Sequence, residues 1–348
     1  MWTPVLPAEL AELPAPELAT STTPDRWHGG LRSMGTHCRQ GAWVVCGPRD
    51  VSAALASSAL SVAPAGGQAA GGSAAELIGQ MARFSDGEDH CRRRALVMQM
   101  LPPVAEITTA AGARANHHLL RRTSDFDIMP MARQLPAEVL GRGLGLEPAE
   151  ADRAAVLTGM LCDGVTPALR ARPATPGCAD GAATELTALL RQRLGTTDAE
   201  QITAAVSVLF QARDATAALI GSAVLAASGN GHGPRSPGQR VDHVLRHDAP
   251  VQCTRRAAVA DVTIGGATVP SGSAVWIFVA TAEQGAGMPA TFGTGPHACP
   301  GAAHATAIAR QVVAVIAADG WRPLPGQRVD FEARPNLRVP ARVLVTRS

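Results

Sequence analysis

The chain has 348 residues, 46% of them hydrophobic, enough to bury a substantial core, and it reads as a single domain over 1–348. Its 31 Lys and Arg against 29 Asp and Glu leave a formal charge of +2, which excludes a broad field for gathering nucleic acid or an anionic membrane. Aromatic residues make up only 3% and Tyr is absent, which removes the stacking platforms of a single-strand nucleic-acid binder and leaves a small molecule as the expected ligand.

In chain order, Met1 to Leu18 is broken by Pro4, Pro7, Pro14 and Pro16 and lacks a basic start, an apolar run and a small-residue cleavage site, so no secretory signal is expected. Gly41-Ala-Trp-Val-Val-Cys-Gly47 is a short β-rich run between turn signals. Helical patterns follow at Asp50 to Ala59 and Asp89 to Met100, separated by a Gly, Ala and Ser-rich stretch, Ala63 to Ala75, that reads as a loop. Further helices are expected at Ala149 to Cys162, Gly181 to Leu194 and Ala199 to Ala227. The last of these contains the longest apolar stretch, Ile202 to Ala227. Gln211, Arg213 and Asp214 interrupt it and would be costly in a bilayer, so it reads as a buried helix. Ser228 to Gly238 reads as another loop, Gln239 to Arg246 as a helix, and Val262 to Val269 with Ile277 to Val279 as strands. A helix from Gly301 to Ala318 closes the list, and the class is mainly α with small β-sheets. Cys38, Cys46, Cys91, Cys162, Cys178, Cys253 and Cys299 are odd in number and lack metal-knuckle spacing, which argues for a reducing, cytoplasmic setting.

The most informative run is Phe292-Gly-Thr-Gly-Pro-His-Ala-Cys-Pro-Gly301. Two glycines and a proline bend the backbone before a cysteine, and Pro300 suits the first turn of the helix that follows. Cys299 is thereby expected at a helix N-terminus. There the free amides and the macrodipole favour its anion, pulling the thiol below its usual pKa of about 8.5. A zinc site built on His297 and Cys299 lacks a second pair of ligands at finger-like spacing.

Phe292, Gly293, Gly295, His297, Cys299 and Gly301 match, position by position, the heme-binding loop of the cytochrome P-450 superfamily, and the chain resembles its soluble bacterial members. The resemblance implies heme b with Cys299 as the axial thiolate. It also implies heme-carboxylate contacts from His90 and Arg94, one helical turn apart, from Arg256 and from His297. Ser124 to Asp127, Leu135-Pro136 and Leu144 to Pro148 resemble connecting segments of those relatives.

Three departures accompany the match. In the long helix that crosses the distal heme face of the family, the aligned run is Gln211-Ala-Arg-Asp-Ala-Thr216. Asp214 stands at the acid of the family's proton relay, Ala215 replaces its threonine, and Thr216 is displaced by about 100° around the helix. His243 stands three residues ahead of Arg246 where the family has Glu, and neighbouring Asp242 points to another side of the helix. Trp276 to Thr291 is short against the family's winding proximal segment, so the fold is expected to be truncated before the cysteine loop. That face ordinarily receives a ferredoxin.

The expected function is a heme-thiolate oxidoreductase, monooxygenase or atypical, acting on a small organic molecule in specialised metabolism. Asp214, Thr216 and Arg213 are the candidate catalytic residues, and Gln211, Ala212 and Val251 the candidate substrate contacts. Chemistry without reductase-driven oxygen activation and a non-catalytic partner protein that assists a glycosyltransferase are the alternatives.

Overall fold

The computed structural model describes residues 24–39, 41–62, 72–120, 122–165, 177–228, 236–282, 290–332, 334 and 336–347. Its helices are α1 (Pro24–Met34), α2 (Pro48–Ala56), α3 (Ser73–Gly79), α4 (Gly87–Met100), α5 (Val104–Leu119), α6 (Met129–Gly143), α7 (Pro148–Val165), α8 (Cys178–Leu194), α9 (Ala199–Leu225), α10 (Pro237–His247) and α11 (Ala302–Ala318). The strands are β1 (His37–Arg39), β2 (Ala42–Val45), β3 (Leu60–Ser61), β4 (Phe126–Asp127), β5 (Thr254–Ala258), β6 (Val262–Ile264), β7 (Ala267–Val269), β8 (Ala274–Ile277), β9 (Trp321–Pro323) and β10 (Leu344–Arg347). They form a five-stranded sheet in the order β1-β2-β8-β5-β3, a three-stranded sheet β4-β10-β9 and the hairpin β6-β7.

The helix ends have local causes. Asp198 accepts hydrogen bonds from the amides of Glu200 and Gln201 and starts α9. Ser236 and Gln239 cap each other reciprocally around Pro237 to start α10. Gly195, left-handed at φ 62°, stops α8.

Helix α9 is the central element. It is long and apolar enough to cross a membrane by length and composition, yet Ile202 to Leu209 and Thr216 to Val224 are buried within the main hydrophobic core. It packs against α6, α4, α11, α10 and α7. A second apolar cluster, with Val45, Val51, Leu55, Val275 and Ile277, joins the larger sheet to α2. Phe292, at the head of the cysteine loop, packs on the main core.

The helical patterns expected from sequence are present with shifted ends, and others escaped the pattern. Leu135-Pro136, expected as a connection, lies inside α6, where both side chains are buried. Packing of Met131, Leu135, Val139 and Leu140 into the core outweighs the helix-breaking tendency of Pro136. The loop expected over Ala63 to Ala75 ends in helix, since Ser73 to Ala75 open α3; residues 63–71 lie outside the described residues, as do 229–235 of the second expected loop. Ile277 ends β8, and Val279 belongs to a 3-10 turn, not a strand. Of the short run from Trp276 to Thr291, residues 283–289 lie outside the described residues.

Candidate active site

The cysteine loop is closed by its own backbone. The Cys299 amide donates to the Phe292 carbonyl at 2.8 Å and the Gly293 amide to the Ala290 carbonyl at 2.8 Å. Gly293 and Gly295 adopt φ 70° and 71°, a region that disfavours any residue with a Cβ. At Gly295 the constraint is double, because a Cβ would also lie 3.1 Å from the Leu55 carbonyl oxygen and 3.4 Å from Ala56 Cα, both rigid backbone of α2. Gly295→Ala is therefore expected to destabilise the chain by about 1–3 kcal/mol. A shift of the urea midpoint to lower concentration, with the slope unchanged, is the measurement; an unmoved midpoint would contradict the packing of this loop on α2.

The terminal helix begins one residue later than expected. Gly301 is the N-cap and Ala302 the first helical residue, so Cys299 and Pro300 precede the helix. The thiol is correspondingly not depressed. Burial pushes it up, against the lowering effects of a hydrogen bond from the Gly301 amide and of the Arg83 and Arg94 charges. One amide and two screened cations do not offset removal from water.

Cys299 and Arg83 are both accessible at their surfaces, yet desolvation by the surrounding chain is the largest influence on each. The two also interact electrostatically with each other, so both side chains border one space beside the cysteine loop. Gly301 borders the same space: its φ is −94° and a Cβ there would meet nothing within 4 Å. Neither backbone nor neighbour requires glycine at 301, and its missing side chain adds room beside the sulfur.

Cations gather around that space. Arg256, from β5, is buried and donates to Thr254 Oγ1 and to the Arg255 carbonyl, each at 2.9 Å. Burial, then the Arg83 charge, lowers its pKa to about 10, against the opposing pull of Asp86. Arg94 reaches Cys299 electrostatically from α4. Among the described residues neither Arg83 nor Arg94 has a carboxylate or carbonyl acceptor.

The two histidines behave differently from expectation. His90 is held between main-chain carbonyls, with Nδ1 at 2.9 Å from the Ala82 oxygen and Nε2 at 3.1 Å from the Pro296 oxygen. It thereby ties α4 to the cysteine loop. Its ring lies 3.8 Å from that of His297. His297 Nε2 is 3.4 Å from Asp86 Oδ1. Burial, then the neighbouring His90 and Arg256, lowers the His297 pKa to about 4. His297 is consequently neutral near pH 7, so that toward a carboxylate it offers a hydrogen bond and not a charge.

The distal candidates separate into two groups. Midway along α9, between two fully buried stretches, Phe210, Gln211, Ala212 and Ala215 are partly accessible. Gln211, Ala212 and Ala215 share a face, and Gln211 Nε2 donates to Ser207 Oγ at 2.6 Å. Val251 lies near the cysteine loop, its carbonyl accepting from Thr291 Oγ1 at 3.2 Å. Arg213 and Asp214 instead enter a buried ion network. Asp214 accepts from Arg213 Nη1 at 2.7 Å and from Arg334 Nη1 at 2.5 Å, and Arg213 lies 3.1 Å from Asp163 of α7. Arg334 also donates to Glu332, which pairs with Arg133 of α6. Burial alone would raise the Asp214 pKa, but Arg213 and Arg334 outweigh it and hold the carboxylate ionised. Both oxygens being occupied, the expected role of Asp214 as a proton donor is not supported by this geometry. Thr216 is buried.

On α10, Asp242 pairs with Arg310 of α11 at 2.6 Å, while the His243 ring lies 4.7 Å from that of His247. His243 and Arg246 are exposed.

Solved structures superpose on this architecture along nearly its whole length. The cytochrome P-450 BioI, in complex with an acyl carrier protein bearing hexadec-9Z-enoic acid, matches with a TM-score of 0.76 at 17% identity, over 96% of this chain and 100% of that one. The chain has the cytochrome P-450 fold. A second P-450, OxyD, involved in biosynthesis of vancomycin-type antibiotics, matches at 0.75 with 20% identity over 96% of this chain and 98% of that one. The P-450 PksS of the Bacillus subtilis bacillaene polyketide synthase matches at 0.75 with 16% identity, over 93% and 97%. No family model and no curated protein matches the sequence.

Arg83 and Arg334 were not singled out in the sequence. Arg83 has a faint signal, as the one charge in Met81-Ala-Arg-Phe84. Arg334 has none, because its partner Asp214 is 120 residues away.

Proposed function

We propose that the chain is a heme-thiolate oxidoreductase that acts on a small organic molecule in specialised metabolism, with heme b held by Cys299. The observation that carries this reading is one cysteine within electrostatic reach of Arg83 and Arg94, two arginines that have no carboxylate or carbonyl acceptor among the described residues. A flat dicarboxylate with a metal centre answers both needs. Bound there, heme supplies redox chemistry that no side chain of the chain provides. Cys299 supplies the sulfur donor, and a coordinated cation favours its deprotonation in spite of burial. Arg94 and Arg256 hold carboxylates, His297 adds a neutral hydrogen bond, and His90 fixes the loop to α4. Phe292, Gly293 and Gly301 shape the loop and leave space beside the sulfur. Gln211, Ala212 and Val251 are the substrate contacts.

The biosynthetic setting of OxyD and PksS supports the specialised-metabolism reading. The acyl carrier protein held by BioI adds a carrier-bound substrate as a form to be tried. A ferredoxin-type protein is the proposed electron donor, and neither nucleic acid nor membrane is a proposed partner.

One observation favours atypical chemistry. Asp214 is locked between Arg213 and Arg334, Thr216 is buried and Ala215 has no hydroxyl, so the middle of α9 lacks a free proton donor at the family's relay positions. Peroxide use, dehydration, rearrangement and coupling require less of that relay than reductase-driven oxygenation does.

The test is spectroscopic. Purified chain, reduced with dithionite under carbon monoxide, is expected to give the thiolate-type absorption band. A chain that carries no heme after expression with supplemented heme precursor would instead favour the non-catalytic partner reading. Turnover of an added substrate with hydrogen peroxide is expected to exceed turnover with a surrogate ferredoxin system; the reverse order would restore ordinary oxygenation.

A further inference from the structure

Arg83 sits in a 3-10 turn, Ala82–Phe84, immediately before α4. The turn is clamped from that helix. His90 Nδ1 lies 2.9 Å from the Ala82 carbonyl oxygen, and Arg93 Nη1 donates to Ser85 Oγ at 2.7 Å. Ser85 Oγ in turn donates to the Met81 carbonyl at 3.0 Å, and Met81 is fully buried. The backbone that carries Arg83 is thus anchored on both sides, while its guanidinium lies 5.6 Å from the Phe84 ring centroid and within electrostatic reach of Cys299.

A desolvated arginine normally faces a carboxylate, because a charge partly removed from water is stabilised by an opposite one. Arg83 faces another cation, Arg256. Asp86, whose charge acts on Arg256, is already committed: it accepts from Ser61 Oγ at 2.5 Å and from the Val62 amide at 3.1 Å, and it lies beside His297. Arg94 and Arg256 suffice for two carboxylates of one heme, which leaves Arg83 as an additional positive charge fixed at the same wall.

We infer that Arg83 is a carboxylate-binding residue of the cysteine cavity, held ready by its clamped turn and taking an anionic group within reach of Cys299. The inference rests on the heme reading above and deepens it. The carboxylate has two sources, the heme itself or the acid group of a small apolar substrate, and a guanidinium binds either through the same paired N–H donors.

Two arms of one experiment on the holoprotein separate them. In the first, release of heme to excess apomyoglobin is timed for the native chain, Arg83→Lys, Arg83→Gln and Arg83→Ala. In the second, decanoate and its neutral match decanamide are titrated into the same proteins, and the shift of the heme absorption band gives each affinity. If the heme supplies the carboxylate, Gln and Ala release heme about tenfold faster than the native chain, and Lys, which keeps the charge without the paired donors, lies between them. If a substrate supplies it, release is unchanged, the native chain prefers decanoate over decanamide by about tenfold, and Gln and Ala erase the preference. Gln matching the native chain in both arms while Ala differs from it would show that side-chain shape and not charge is required, and would overturn the inference. Unchanged release together with equal binding of decanoate and decanamide would overturn it too. Heme bound with a thiolate-type band in all variants keeps the heme reading intact in either case, whereas a native chain without heme overturns both.

Discussion

Replacing Cys299 by Ser is expected to abolish the thiolate-type band of the ferrous carbon monoxide complex while leaving the fold in place. The loss follows from the donor: an alcohol is far less acidic than a thiol and gives iron far less electron density. The survival of the fold follows from the loop. Its closing bonds run from the Cys299 amide to the Phe292 carbonyl and from the Gly293 amide to the Ala290 carbonyl, and the Gly301 amide that the sulfur accepts from can be met by the Ser oxygen. The residue is also accessible, so removal of the sulfur leaves no packing defect in the main core. Circular dichroism and a urea midpoint within experimental error of the native chain, with the band gone, is the expected pair of results. An unchanged thiolate-type band would transfer the ligand role to another residue. Unfolding of the variant would show instead that the sulfur supports the loop.

The second large effect is expected at Asp214. Replacement by Asn leaves two arginines, Arg213 and Arg334, in the interior without the carboxylate that faces both. Breaking a buried pair from one side costs about 3–5 kcal/mol, and Asn can offer an oxygen to only one guanidinium. The remaining acids soften the loss, since Arg213 keeps Asp163 and Arg334 keeps Glu332, so the expected destabilisation lies at the lower end, about 3 kcal/mol. The pH dependence has a definite sign. The folded Asp214 carboxyl titrates below its ordinary value because Arg213 and Arg334 outweigh the raising effect of burial. A depressed carboxyl contributes stability that is fully present above the unfolded pKa of about 3.9 and is lost as pH falls through the folded value. The gap between the native chain and Asp214→Asn is therefore expected to be constant from pH 7 down to about 5 and to close in more acidic solution. Urea unfolding at a series of pH values measures it. A gap that widened on acidification would mean that Asp214 is protonated in the folded chain, which would return it to the role of proton donor.

Much of this architecture is legible in local sequence because its causes are local. The helix caps at Asp198 and Ser236, the left-handed stop at Gly195 and the two bent glycines before Cys299 each act within a few residues. The apolar run of α9, interrupted by Gln211, Arg213 and Asp214, reads as a buried helix, and the spacing of His90 and Arg94 places both on one face of α4. Where tertiary packing opposes local preference, the reading fails, as at Pro136, which the core holds inside α6.

Charge states and partners belong to the tertiary structure, because they depend on groups distant in the chain and on how much water each group loses. His297 is neutral since burial sets it among His90 and Arg256; the Cys299 thiol is raised since burial outweighs the Gly301 amide. Asp214 is taken from the proton-relay candidates by Arg334, which approaches from the C-terminal end of the chain. Arg83 joins the site because the fold brings the turn before α4 within electrostatic reach of Cys299. Sequence alone placed a cysteine, a helix and their register, which short-range geometry dictates. Which side chains share an enclosed, poorly screened space was decided by the fold, because desolvation and Coulomb interaction act through space and not along the chain.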